Sequence, residues 1–319
     1  MPAPSFDNGH LPSYTYLMNS SAATRAIRSY AKINLTLEVL GTRPDGYHNI
    51  ESVMQSVSLY DEITLRRVPR PGISLTCNVP GIPTDIRNLA FRASALYTDR
   101  TKVETGLEIH LNKNIPSQAG LGGGSSDAAG VLRGLNSLMD SPLEMSELLK
   151  IASEIGSDVP FFLIGGTAHS SGRGEVVNPL PDAGRFGLVI IKPPFGIKTP
   201  WAYRRFDEIQ KETKAAQSGE ATAALVKCIR EQNINCIPGL LKNNLEAPAT
   251  EAHPEITLYK ERLKELGALG TLMCGSGSAV FGLFTTPEAA HKASEDLADI
   301  PAAVFAGRTL TRKEALEED

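Results

Sequence analysis

The chain has 319 residues, of which 41% are hydrophobic and 21% charged, and a formal net charge of −4. Those figures belong to an ordinary globular protein and exclude broad electrostatic attraction to nucleic acid. No apolar run is long enough to cross a bilayer, so no membrane partner is expected, and the length suggests two domains.

Residues 1–25 hold Pro2, Pro4 and Pro12 among serines and asparagines, without lasting periodicity, and read as a disordered tail. A basic start followed by an apolar core is lacking, which argues against a secretory leader and for a cytoplasmic protein. A plastid transit peptide is the other reading of this segment. Over residues 27–40 the apolar positions alternate as in a strand, with Ile33, Leu35, Leu37 and Val39 on one face. Lys32, Asn34 and Thr36 share the other face, so Lys32 and Asn34 project side by side, into a site or as a solvated strand face. Pro44-Asp45-Gly46 makes a turn, leaving Tyr47 and His48 where they can face a cleft, and residues 50–65 return as a second extended run. Residues 88–97 read as a short amphipathic helix and residues 107–111 as a strand.

The chain is organised around the stretch that follows, residues 115–136. It places Gly120, Gly122, Gly123 and Gly124 within five residues, then Ser125, Ser126, Asp127 and a helical pattern. Glycines let a backbone approach an anion closely. A helix starting there aims unpaired N–H groups and a positive dipole end at it. The product is a ring of N–H donors suited to a phosphate. The P-loop pattern needs a lysine after the last glycine, and the dinucleotide pattern needs a glycine where Ser125 stands; both fail. A flexible Gly/Ser linker is disfavoured, because a strand-like run precedes the stretch and an alanine-rich helix follows it.

Residues 143–155 read as a helix ending at Gly156, a good C-cap. Asp158 stands just before Pro160 and an apolar segment at 161–164; taken alone, an aspartate there is more often a turn or cap residue. Gly172 and Gly174 mark a tight loop. A short buried strand at 188–191 follows, and the domain boundary falls just before it, giving domains at 26–187 and 188–319. A proline-rich connector then carries Trp201 and Tyr203. Helices are expected within 206–232, at 255–266 and at 287–297, a glycine loop entering a strand at 273–284, and a last strand at 303–310. Strands and helices mix without a βαβ rhythm, which favours an α+β fold. Cys77, Cys228, Cys236 and Cys274 form no C-x-x-C pair and fit a reduced compartment or buried roles better than a metal or disulfide framework.

The pattern P-x3-G-L-G-x-G-S-S-x-A-A resembles the phosphate loop of the GHMP kinases, and AKINLTLEVLGTRPDGYH and MCGSGSAVF stand in that family's order and spacing. A-K-I-N-L-x-L with R-x-D-G-Y-H, GSDVPFF, the G-x-G-E of residues 172–175 and the NNLE of residues 243–246 resemble, more narrowly, the branch that phosphorylates a cytidylyl-methylerythritol. The resemblance implies a two-domain GHMP kinase fold with the active site in the cleft between domains, a small-molecule acceptor phosphorylated on its tertiary hydroxyl, and ATP with Mg²⁺. It implies Asp158 as catalytic base with Lys32 as its partner, and Asn34 beside the acceptor hydroxyl. Tyr47, His48 and Tyr203 fall at the cytosine, and Asn88 and Lys113 near the adenosine. Pro116, Gly120, Leu121, Gly122, Gly123, Gly124, Ser125 and Ser126 surround the phosphates, with the hydroxyl of Ser125 or Ser126 open to the metal. Two departures stand out: Ser117-Gln118-Ala119 replaces a more glycine-rich stretch, and Asp127 puts a negative charge near a triphosphate where the family often has Asn. A monomer or weak homodimer is expected. Two readings compete. Another GHMP kinase, acting on homoserine, mevalonate or a sugar, would have no use for a base-reading Tyr47-His48 pair. A non-catalytic nucleotide-binding protein would not need Asp158 and Lys32.

Overall fold

A computed structural model describes residues 24–139, 142–213 and 218–317. The tail expected at residues 1–25 lies outside them, except for Thr24 and Arg25, which already belong to a strand. Strand β1 (Thr24–Thr42) turns back into β2 (His48–Val68) antiparallel, with the turn closed by Gly46 N–H on the Arg43 carbonyl. β3 (Gly72–Cys77), helix α1 (Leu89–Thr101) and β4 (Gly106–Asn112) follow, then α2 (Gly123–Leu138), α3 (Met145–Ile155) and α4 (Val159–Ile164). β5 (Thr167–Ser171) and β6 (Val176–Pro179) complete this half. The remainder runs β7 (Gly187–Lys192), α5 (Thr199–Thr213), α6 (Glu220–Arg230), a 3₁₀ turn, β8 (Lys242–Asn243), α7 (Glu246–Ala252), α8 (Glu255–Glu265), β9 (Gly270–Met273), β10 (Val280–Phe284), α9 (Pro287–Glu295), β11 (Ala303–Arg308) and α10 (Arg312–Leu316).

Among the described residues two sheets form. One has the path β3-β4-β2-β1-β8, with β5 on β2 and β6 on β5; the other has the order β11-β7-β10-β9. Mixed pairing and segregated helices make the architecture α+β. Helices α1 to α4 cover one face of the first sheet around Ile63, Leu65, Tyr97, Leu132 and Phe161. α2 lies close on that sheet because it carries glycine at the contact: a Cβ on Gly134 would stand 2.0 Å from Ile27 Cδ1. β7 splits its residues by strand alternation, Leu188 and Ile190 into one core cluster and Val189 and Ile191 into another, so the second sheet is covered on both faces.

Four readings change. Leu37 and Val39 do not share a core with Ile33 and Leu35, because the β1–β2 register shifts between Asn34 and Thr36. The proline-rich connector ends sooner than expected: α5 starts at Thr199, with Pro200 tolerated in its first turn, so Trp201 and Tyr203 are helical. β3 adds a strand that the expected elements lack: Ile73, Leu75 and Cys77 alternate toward the core over only six residues, and the strand pairs parallel to β4 across the whole of α1. Cys228 and Cys236 form a disulfide between α6 and the following 3₁₀ turn, against the expectation of separate thiols. Cys274 is a buried free thiol, and burial pushes it up to about 12.

Candidate active site

β1 brings its polar face into the protein. Lys32 and Asn34 are 4% and 3% exposed, so the solvated-face reading of this strand is wrong. Lys32 Nζ donates to Asn34 Oδ1 at 2.5 Å, Asn34 Nδ2 donates to Ser52 Oγ at 2.8 Å, and Ser52 Oγ donates to the Thr36 carbonyl. A buried ammonium needs such partners, because an unpaired one is costly in a low dielectric. Its second partner is Asp158, whose Oδ2 lies 3.6 Å from Lys32 Nζ.

Asp158 is the N-cap of α4 by position, yet its side chain makes no capping bond. The turn-or-cap reading therefore leaves the carboxylate unexplained, whereas the cleft and Lys32 account for its direction. α4 also buttresses the glycine loop: the Phe162 ring occupies the space where a Cβ on Gly122 would sit, 2.6 Å from Cζ. Gly122, at φ 73°, caps α2, and the Lys32 N–H donates to the Leu121 carbonyl at 3.0 Å. A few residues thus fix the loop, Lys32 and Asp158 relative to one another.

The loop has the geometry of an anion cradle. Gly123, Gly124 and Ser125 occupy the first helical positions of α2, where amides lack intrahelical acceptors. Ser126 does not share this role, because its N–H bonds the Gly122 carbonyl and its hydroxyl donates to the Tyr30 carbonyl. Of the two serines expected to be open to a metal, Ser125 alone lines the cleft. Gly120, at φ 76°, packs on the glycine loop after β9, where an added Cβ would stand 1.8 Å from the Cys274 carbonyl oxygen. The NNLE segment braces that loop: Asn243 Nδ2 donates to the Met273 and Gly275 carbonyls, and Glu246 accepts from Met273 N–H.

Asp127 does not confront a triphosphate as a bare charge. It is 2% exposed, accepts from Ser29 Oγ and binds Lys113, which also holds Asp61. Burial first, and then the nearby Asp61 charge, push the Asp127 carboxyl up to about 6, against the pull of Lys113. Asp61 in turn accepts the Asn114 and Ile115 amides, so this cluster ties β2, the end of β4 and α2 together under the loop. Asn88 caps α1 through its side chain and borders the cleft.

The cleft joins these parts in about 1120 Å³, more than the roughly 300–1,000 Å³ typical of a single small ligand. Pro116, Gly120, Gly124 and Ser125 line one end; Tyr47, His48, Tyr203, Arg173 and Asp207 line the other, with Lys32, Asn34 and Asp158 in the same wall. Tyr47 is 54% exposed and lies under the Arg173 guanidinium, 5.1 Å from the ring centroid. His48 stacks on Tyr203 at 4.8 Å between centroids and pairs with Asp207 at 2.8 Å. Burial and then the Asp158 charge raise the Tyr203 phenol, keeping it protonated. Arg173 and Asp207 were missed in the sequence, where a lone arginine between glycines and a lone aspartate on a polar helix carry no signal. No group of three or more His, Cys, Asp or Glu able to hold a metal occurs among the described residues.

Fold and cleft define a class of small-molecule kinase. Residues 88–166 match the model of the GHMP kinases N terminal domain, and residues 225–301 that of the GHMP kinases C terminal domain. A 4-diphosphocytidyl-2-C-methyl-D-erythritol kinase from Caldicellulosiruptor saccharolyticus is 44% identical over 85% of this chain and 92% of its own length. One from Synechococcus sp. is 42% identical over 84% of this chain and 87% of its own. A crystal structure of 4-(cytidine 5'-diphospho)-2C-methyl-D-erythritol kinase superposes with a TM-score of 0.74 at 34% identity, covering 89% of this chain and 98% of that one. A homoserine kinase from Cytophaga hutchinsonii, at 21% identity and a TM-score of 0.72, shares the fold. The chain belongs to the 4-diphosphocytidyl-2-C-methyl-D-erythritol kinase family within the GHMP kinases.

Proposed function

We propose that the protein transfers the terminal phosphate of ATP to the 2-hydroxyl of 4-diphosphocytidyl-2-C-methyl-D-erythritol. The observation that carries this reading is the shared cleft: backbone donors at the start of α2, the Lys32–Asp158 pair in the middle and an aromatic set at the far end. Phosphoryl transfer asks a protein for positioning and charge stabilisation more than for covalent chemistry. The amides of Gly123, Gly124 and Ser125 hold the phosphates, and Asn88 and Lys113 border the adenosine. Asp158 accepts the proton of the acceptor hydroxyl as its oxygen attacks. Lys32, held by Asn34, balances the Asp158 charge and the charge on the transferring group. Tyr47, His48 and Tyr203 receive the cytosine, and base–aromatic stacking is worth about 1–3 kcal/mol per base in nucleic-acid complexes.

The donor set fits Mg²⁺ brought in with ATP, because the cation usually keeps waters and binds through phosphates with few protein ligands. Ser125 supplies the hydroxyl that would reach it, and the bound ion would neutralise charge between phosphate oxygens. A division of the chain near 187/188 is in keeping with the start of β7 and the second sheet there, with β8 of the later part reaching back to the edge of the first sheet. Among the described residues no helix is long and apolar enough to cross a membrane.

Purified protein with Mg²⁺ and ATP is expected to phosphorylate the cytidylyl acceptor. Faster turnover of homoserine or mevalonate would overturn the assignment of substrate.

A further inference from the structure

Helix α5 carries Tyr203 and Asp207 four residues apart, hence on one face. Both reach the same residue across the cleft. Tyr203 stacks on the His48 ring at 4.8 Å and 30°, and Asp207 Oδ1 accepts from His48 Nε2 at 2.8 Å. His48 opens β2 at the end of the turn that begins at Thr42, whose Oγ1 lies 3.4 Å from the same nitrogen. Its side chain is 9% exposed and that of Asp207 33%, so the histidine end of the pair is shielded from water and the carboxylate end is partly solvated. A neighbouring face of α5 buries Ala202 and Phe206, and on the far side Arg205 ties the helix to Glu251 of α7 at 2.7 Å. α5 is thus fastened to the second half of the molecule on one side and grips the 42–48 turn of the first half on the other.

We propose that Asp207 is a positioning residue for the acceptor: by holding His48 it fixes Tyr203 and the 42–48 turn, with Tyr47 on it, in one arrangement. The idea rests on the kinase reading for what the arrangement receives, though the grip itself does not depend on it. Asp207 touches neither the glycine loop nor Lys32, so its effect belongs to the acceptor alone. A hydrogen bond to a charged partner commonly supports about tenfold to hundredfold in an equilibrium.

The test combines a double-mutant cycle with hydrogen exchange. Asp207→Asn should raise the acceptor KM about tenfold while the ATP KM, which also reports that the variant is folded, stays within about twofold. In a His48→Ala background the same substitution should change the acceptor KM less than about twofold, since the partner through which it acts is gone. An undiminished effect in that background, or an equal rise in the ATP KM, would overturn the proposal. Amides of residues 42–49 should exchange faster in Asp207→Asn than in the wild-type protein, whatever the acceptor; unchanged exchange would also overturn it. Wild-type protein that ignores the cytidylyl acceptor would reject the kinase reading instead, leaving exchange to decide on Asp207.

Discussion

The two ends of the cleft are built from different materials. The end proposed for phosphate is backbone: glycines, of which Gly120 and Gly122 leave no room for a Cβ, and helix-terminal amides in the order the chain supplies them. The end proposed for the acceptor is side chains, gathered from the 42–48 turn, the loop at Arg173 and helix α5. A backbone site fails abruptly when a methyl group enters it. A side-chain site fails by degrees, one contact at a time, and can be tuned.

That contrast can be broken most forcefully at Gly120. Gly120→Ala places a methyl against the Cys274 carbonyl at a positive φ, so the loop must shift. We expect ATP affinity to fall at least about a hundredfold in a calorimetric titration, with the acceptor KM affected far less. Retained ATP binding would show that the loop tolerates a side chain. Tyr203→Ala should act at the other end alone, raising the acceptor KM roughly tenfold to a hundredfold through lost stacking and leaving the ATP KM unchanged. Beneath the loop, Gly134→Ala should cost about 1–3 kcal/mol in denaturant unfolding, because overpacking against Ile27 and Leu65 outweighs the better helix propensity of alanine.

The smallest effect sharpens the comparison through pH. The Asp127 carboxyl is raised on folding, so the folded state holds its proton longer than the unfolded chain does. Stability from that group is complete below the ordinary aspartate range and is lost as pH rises to about 6. Asp127→Asn should remove that decline. A variant whose stability follows the wild-type pH curve would assign the decline elsewhere.

The glycine loop and the helix it opens were legible in the sequence because glycine spacing is itself the structural requirement. The strand pairing Lys32 with Asn34 was half legible: alternation put them on one face, but nothing local said that face was buried beside Asp158 and the glycine loops. At the other end the turn placed Tyr47 and His48 toward a cleft, while Tyr203 came only through resemblance. Asp207 and Arg173 acquire meaning when distant elements meet, as do Asp61 and Asp127 through Lys113. Ser126 shows the reverse limit, since its neighbour Ser125 faces the cleft while its own hydroxyl turns to Tyr30. The Cys228–Cys236 pairing depended on how α6 runs into the 3₁₀ turn, which spacing alone does not specify.

The central proposal is that Asp158, held beside Lys32 and one helical turn from the loop's support at Phe162, takes the acceptor's proton while the amides keep the nucleotide. Steady-state turnover and ATP affinity of Asp158→Asn test it together. The account predicts a fall in kcat of about 10²–10⁴-fold, the usual worth of a general base, with the ATP dissociation constant within about twofold of the wild-type value. Near-native turnover, or loss of ATP binding in step with activity, would contradict it.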